Sequence, residues 1–260
     1  MSFAVSAVEF LRKTLAYPDW RGRALYGLFR SVFAFVPIRR RLVLDALKAS
    51  FPEKDEAWRK KTLHGMYRHF SWMIVEFLAC QNDPALVNKM VVEVEGRECA
   101  DAQRASGAGC FMLAGHFGNW EILGGWLLRN GYPVQPAARD ADNPEFAALI
   151  ERYRANLGET TLRKGAMNVR HMLRQAQAGN WIALLADQDA GPHAVPVTFL
   201  NRRTTMVEGP AALALTVTAG MSALAQADNN EKHFSVIEAA SNEDSLTIPE
   251  IAKKCGTSVV

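Results

Sequence analysis

Residues 109–126, with the sequence GCFMLAGHFGNWEILGGW, place a short polar hinge between two apolar runs. The first run is continuous, as in a buried strand, and the second has the apolar spacing of a helix. Between them, Gly115 and Gly118 permit a tight reversal of the chain, and Asn119 is suited to cap the helix that follows. The segment therefore predicts a strand that turns directly into a helix at the end of a sheet.

The same alternation continues along the chain. Strands are predicted at MVVEVEG, YPVQPAAR, WIALLAD, VPVTFL and, near the end, SALAQAD and HFSVIEAA; helices are predicted from about residue 41 to 88 and at NPEFAALIERYRANLG, NVRHMLRQAQAG and GPAALALTVTAG. Alternating strands and helices predict an α/β fold with helices on both faces of the sheet. Sites in such folds form beyond the carboxyl ends of the strands, where His116 and the turn at residues 187–191 both fall.

The N-terminal third of the chain is basic. Residues 1–70 hold 14 Lys and Arg against 6 Asp and Glu, although the whole chain has a net charge of +3. These basic residues alternate with large apolar ones, which favours an anionic membrane surface over nucleic acid as the partner. The apolar stretch at residues 24–38 is shorter than the ~20 residues that span a bilayer, and Arg39, Arg40 and Arg41 follow it. It predicts an interfacial segment, with a core helix as the alternative.

Other features of composition set the remaining expectations. The four cysteines form no C-x-x-C pair, so reduced thiols are expected, with neither disulfides nor zinc. No other metal and no cofactor are expected. The first residues lack the pattern of a signal peptide. Two regions are predicted, a basic helical membrane-interface segment at 1–88 and an α/β core at 89–260.

His116 and Glu121 are the first candidates for chemistry. On an unbroken helix, side chains five positions apart point ~140° away from each other. They can meet if His116 lies in the loop and Glu121 in the first helical turn, where the helix dipole favours a carboxylate. A carboxylate that orients an imidazole is half of a nucleophile-activation system.

The nucleophile itself is absent from this segment. It has no suitably placed serine or cysteine, and the chain has no G-x-S-x-G motif. A substrate hydroxyl is then the simplest nucleophile, with His116 as its general base. A structural histidine that is hydrogen-bonded in a turn remains the alternative.

Several ordered motifs carry a family resemblance. GHFGNWE, ARDADNP, ERYRANLG, RKGA, LLADQDAG, VTFLNRR and EGPAALAL resemble successive blocks of the bacterial lipid A late acyltransferases, and ASFPEKDEAWRKK with the later Glu76 resembles that family's N-terminal helices. The resemblance extends from about residue 40 to 220. The family pattern continues into a C-terminal helix that we expect to be shortened here.

The resemblance implies a glycerolipid-acyltransferase-like mixed sheet flanked by helices, with an N-terminal helical membrane-facing segment. It implies an H-x4-E dyad, matched by His116 and Glu121, and an arginine near the reacting groups or lipid phosphates, matched by Arg154. It also implies transfer from acyl-acyl carrier protein to a hydroxyl of a lipid A precursor, an anionic glycolipid, at the cytoplasmic face of the bacterial inner membrane.

Further residues are candidates for substrate binding. They are Arg139, Asn119, Lys164 and Gln188, each with a surface or structural role as the alternative. A metal role for the oxygen-rich turn at Asp187 to Asp189 is less favoured than a hydrogen-bonding role. Trp120, Leu123, Trp126 and Leu127 could line an apolar groove or pack against the sheet. The other histidines are scattered and indicate no site.

Three other functions fit the same residues. The acceptor could be another lipid, such as an aminolipid or a phosphatidylinositol mannoside. The chain could be a non-catalytic module that binds lipid or carrier protein. A hydrolase would use water in place of the acceptor hydroxyl.

Overall fold

The computed structural model describes residues 2–207 except 37, 139, 140, 142, 163–168, 189, 192 and 193. Beyond residue 207 it describes Pro210 and Leu213. Apart from these two residues, the helix predicted at 209–220 lies outside the described residues, as do the two strands predicted after it and the candidates Arg139 and Lys164.

The N-terminal region is helical, as its sequence pattern predicts. It contains α1 (Phe3–Leu15), α2 (Trp20–Phe35), α3 (Arg40–Ser50), α4 (Glu56–Cys80) and α5 (Leu86–Met90). Asp19 and Asp55 cap α2 and α4 by accepting hydrogen bonds from backbone N–H groups of the first turn. Of the helices that the structure describes, none has both the length and the apolar character needed to cross a bilayer.

Among the described residues, a parallel three-stranded sheet forms the centre of the region that follows. After α6 (Arg97–Ala105) come β1 (Cys110–Ala114), α7 (Trp120–Arg129), β2 (Val134–Ala137), α8 (Pro144–Leu157), α9 (Val169–Gln177) and β3 (Trp181–Leu185). The strand order is β1-β3-β2, so the last of the three strands lies between the first two. The α/β class is confirmed, and Asn119, the predicted cap of α7, is present; Asn143 caps α8.

An antiparallel hairpin follows the parallel sheet. It pairs β4 (Val195–Phe199), which the sequence predicts, with β5 (Arg202–Met206), which it does not. One strand prediction is wrong: residues 91–94 of MVVEVEG, all of which are described, form no strand. Val92 is 92% exposed there, so the alternation of valine and glutamate does not mark a buried face.

Helices cover both faces of the parallel sheet. On one face Trp126 and Leu127 of α7 pack with Trp181 and Ala183. On the other face a cluster that includes Ile182 packs with residues of α9. Trp126 and Leu127 are therefore packing residues between helix and sheet, and of the apolar side chains considered for a groove Leu123 is the one with large exposure, 43%.

The N-terminal helices share a core with α8. Val5, Leu25 and Val75 cluster with Leu149 and Tyr153, so helices before and after residue 88 bury one another's side chains. The division at residue 88 stays a prediction.

Candidate active site

His116 lies two residues beyond β1, and Asp187 lies two residues beyond β3. Ala114 and Leu185, the last residues of these neighbouring parallel strands, are register partners. The chain segments that leave the two strands therefore start side by side. Asp187 Oδ1 lies 2.7 Å from Nδ1 of His116, and Asp187 Oδ2 accepts a hydrogen bond of 2.7 Å from the His116 backbone N–H.

This contact defines the chemistry of the imidazole. With Nδ1–H donating to Asp187, the other ring nitrogen, Nε2, carries a lone pair that can accept a proton. The side-chain nitrogen of Gln188 lies 3.4 Å from Nε2. The side chains of His116 and Asp187 are 31% and 35% exposed, so a substrate can reach them.

The carboxyl of Asp187 is held in its ionised form. Partial burial raises its pKa. The hydrogen bonds from the ring and the backbone of His116 together lower the pKa by more than burial raises it, so the net shift is downward. An ionised carboxylate on Nδ1 stabilises the imidazolium that forms when Nε2 takes a proton.

Glu121 has a different partner from the one predicted. Its carboxylate receives two hydrogen bonds from Arg154 of α8, one of 3.0 Å from Nε and one of 2.7 Å from Nη2. Both side chains are mostly buried, at 12% and 16% exposure. The expected direct pairing of His116 with Glu121 is not made, because the first turn of α7 directs Glu121 toward α8, where a guanidinium balances its charge.

Trp120 connects the two pairs. Its indole ring stands edge-on to the imidazole of His116, with centroids 4.7 Å apart. Its Nε1 lies 3.2 Å from Glu121 Oε1, to which it donates. The Glu121–Arg154 pair therefore supports the aromatic wall beside the imidazole, although Glu121 itself does not contact that ring.

Helix α4 holds the hinge from the other side. Asn119 accepts a hydrogen bond from the backbone N–H of Ile122 at 3.3 Å, and its Nδ2 donates to Glu76 Oε2 at 2.8 Å. The ring Nε2 of His69 lies 2.9 Å from the carbonyl oxygen of Gly118, a residue with a φ of +62°. The amide of Asn119, which was predicted to bind substrate, is thus engaged within the protein.

The structure brings together four of the predicted residues, in two pairs that the sequence did not specify. His116 and Gln188 lie side by side, and Arg154 lies on Glu121. The roles of Asp187 and His69 were missed. The position of Asp187 just after a strand was the available signal, but its use required the strand order.

Residues 3–255 match a family model described as bacterial lipid A biosynthesis acyltransferase. The chain belongs to this family. The resemblance carried by its motifs is thereby confirmed.

This member of the lipid A acyltransferase family has curated relatives that are named for a different lipid, phosphatidylinositol mannoside. The chain is 29% identical over 154 residues to a phosphatidylinositol mannoside acyltransferase of Mycobacterium tuberculosis, covering 58% of this chain and 48% of the relative. It is 29% identical over 119 residues to the protein of the same name from Mycolicibacterium smegmatis, covering 45% and 39%. The chain spans about half the length, or less, of these relatives.

Proposed function

We propose that the protein transfers a fatty acyl chain from acyl-acyl carrier protein to a hydroxyl of an anionic glycolipid, with a lipid A precursor as the first candidate acceptor. The observation that carries this proposal is the contact of 2.7 Å between His116 Nδ1 and Asp187 Oδ1, in a chain of this family. It leaves a basic ring nitrogen at the carboxyl ends of two parallel strands, within reach of solvent.

The reaction needs one proton acceptor and one nucleophile. Nε2 of His116 removes the proton of the acceptor hydroxyl as its oxygen attacks the thioester carbonyl. Asp187 keeps Nδ1 protonated and stabilises the imidazolium. When the tetrahedral intermediate collapses, the new ester C–O bond is retained, the C–S bond breaks, and the imidazolium returns the proton to the departing sulfur.

Gln188 is a candidate donor to the reacting atoms. Its side-chain nitrogen, 3.4 Å from Nε2, occupies the space that the acceptor hydroxyl would enter. Displaced from the imidazole by substrate, the amide can donate to the oxyanion of the intermediate. One such donor is typically worth ~3 kcal/mol of transition-state stabilisation.

The arginines divide into different roles. Arg154 donates to Glu121 through Nε and Nη2, and only 16% of its side chain is exposed, so little of it is accessible to a lipid phosphate. We propose that Glu121 and Arg154 position Trp120 and α7 against the imidazole. Arg139 and Lys164 remain candidates for the acceptor phosphates, for which guanidinium and ammonium groups are suited.

Membrane binding at the cytoplasmic face of the inner membrane is part of the proposal. Around the connection between α2 and α3, Phe35 is 86% exposed, Leu42 is 63% exposed, and Arg39, Arg40 and Arg41 are exposed between them. Apolar side chains beside a cationic cluster suit an anionic interface. Co-sedimentation with anionic vesicles should weaken in Phe35→Ser and stay unchanged in Val92→Ser, an equally exposed apolar residue among glutamates. Equal binding by both variants would show that the region around Phe35 does not mediate membrane binding.

The function is tested with purified protein, labelled acyl-acyl carrier protein and a panel of acceptors. Transfer to a glycolipid should fall by roughly 10²- to 10⁴-fold in His116→Ala and remain in His64→Ala, an exposed histidine on α4. Acyl release that added acceptor does not change would identify a hydrolase, and binding without turnover would identify a non-catalytic module.

A second acceptor has support from the comparisons. The curated relatives are named for phosphatidylinositol mannoside, so this glycolipid belongs in the same panel as the lipid A precursor. Both carry phosphate and free hydroxyls, and the one that receives label from the parent but not from His116→Ala is the acceptor.

A further inference from the structure

A second carboxyl group lies next to the Glu121–Arg154 pair and has no part in the proposed reaction. Glu159 follows α8 and is 6% exposed. Its Oε1 is buried and has no hydrogen-bond partner among the described residues. An ionised carboxylate in such a place would lack the donors that normally stabilise its charge.

The neighbouring helix leaves space for this carboxyl. Gly124 lies one turn after Glu121 on the same face of α7, and a Cβ atom at Gly124 would lie 2.7 Å from Oε1 of Glu159. A side chain at position 124 would therefore displace the carboxyl. The close approach of Glu159 to α7 depends on glycine.

The groups around Glu159 already include more carboxylates than cations. Arg154 is the one cation that interacts with Glu159 among the described residues, and it also faces Glu121 and, at 3.8 Å, Glu151. Burial and the charge of Glu121 raise the pKa of Glu159, Arg154 opposes that rise, Glu151 adds to it, and the result is about 8. A neutral carboxyl next to a paired Glu121 and Arg154 is the consistent state in neutral solution.

We propose that Glu159 is a protonated, neutral carboxylic acid that positions the Glu121–Arg154 pair, and that its ionisation rearranges this pair. A carboxylate at Glu159 would repel Glu121 and compete with it for the guanidinium of Arg154. Trp120 donates to Glu121 and stands against His116, so a shift of Glu121 reaches the imidazole. The expected effect on acyl transfer rests on the proposed function, but the effect on the Arg154 contact does not.

The first test follows the hydrogen-bonded Nε–H of Arg154 by NMR, with its signal assigned by its loss in Arg154→Lys. In the parent protein the signal should shift as the pH rises from about 6 to about 9, because the ionisation of Glu159 falls in that range. In Glu159→Gln, which has the same shape and cannot ionise, the shift should be absent. Glu98→Gln, a substitution on the exposed face of α6, should behave as the parent.

The second test measures stability toward denaturant over the same pH range. A carboxyl whose pKa is raised on folding contributes stability at low pH that is lost as the pH rises through the folded pKa. Glu159→Gln should therefore gain stability relative to the parent between about pH 6 and about pH 8, within a change that begins near the ordinary carboxyl pKa of 4.5, and should gain nothing further up to about pH 9. Glu98→Gln should run parallel to the parent.

The third test compares pH profiles of acyl transfer. The fall in rate at alkaline pH should begin at a higher pH in Glu159→Gln than in the parent, and at the parent's pH in Glu98→Gln. A parent Arg154 signal that is constant with pH would overturn the proposal, and this measurement does not require Glu159→Gln to fold. A shift of that signal that persists in Glu159→Gln would also overturn it. An absence of acyl transfer in the parent would refute the proposed function, and the Arg154 signal would still decide the state of Glu159.

Discussion

A single carboxylate, that of Asp187, accepts two hydrogen bonds from His116, one from the ring and one from the backbone N–H. The two oxygen atoms therefore fix both the direction of the ring and the position of the loop that carries it. This relationship explains why the hinge after β1 can be short and still hold an imidazole in one orientation.

Asp187→Asn should lower kcat for acyl transfer by roughly 100-fold or more, because the amide cannot stabilise an imidazolium as a carboxylate does. KM should change little, since Asp187 is proposed to act through the histidine. Steady-state kinetics with labelled acyl donor measure both constants. Asp45→Asn, an exposed change on α3 (71% of its side chain is exposed), is the control. A parent-like kcat in Asp187→Asn would remove Asp187 from the mechanism.

The same pair should give a dependence of stability on acidic pH. The folded pKa of Asp187 lies below its ordinary value of 3.8, so its stabilising contribution is present above that value and is lost as the pH falls through the folded pKa. The difference in unfolding free energy between the parent and Asp187→Asn should shrink as the pH falls from about 4 to about 2. Denaturant titrations at a series of pH values measure it. A difference that is the same at every pH would contradict the contact.

Glu121→Ala should destabilise the fold by about 3 kcal/mol, because it leaves the guanidinium of Arg154 mostly buried and without its main partner. Removing both partners should cost less than the sum of the single changes. Denaturant unfolding gives these free energies. The control is the Arg41–Asp45 pair, whose side chains are 97% and 71% exposed. Asp45→Ala should lower the free energy of unfolding by no more than about 0.5 kcal/mol. Equal losses at both pairs would show that burial does not matter here.

Asn119 combines two tasks that a serine can separate. Asn119→Ser should keep the cap of α7 and lose the hydrogen bond to Glu76, so acyl transfer should fall while helix stability is largely kept. Asn119→Ala should lose both, and the loss of the cap alone should lower the free energy of unfolding by about 1 kcal/mol. Unfolding curves and transfer rates distinguish these effects. The matched control is Asn143, which caps α8, since Asn143→Ser should leave transfer unchanged. A full rate in Asn119→Ser would show that the link to α4 is dispensable.

Local structure around the hinge could be predicted because its signals are local. The apolar run of β1, the cap at Asn119 and the glycine after α8 each act within a few residues. The hairpin strand β5 was missed because RRTTM has no apolar alternation. Its pairing depends instead on Leu200 and Asn201, both at positive φ, which form the two-residue turn.

The partner of His116 could not be predicted for a different reason. Glu121 is near in sequence, but the direction of the first turn of α7 depends on packing against α8. Asp187 is 71 residues away, and it meets His116 because β3 is the neighbour of β1. No periodicity in a single sequence specifies which strands are neighbours.

The placement of β3 between β1 and β2 has a consequence during biosynthesis. β1 and β2 both leave the ribosome before β3. Because they pair with β3 and not with each other, neither has its backbone hydrogen-bond partner in this sheet until β3 has been made. The imidazole gains its carboxylate only when the last strand inserts between them, a non-local step that slows folding. A nascent chain would thus lack the His116–Asp187 contact until β3 has inserted.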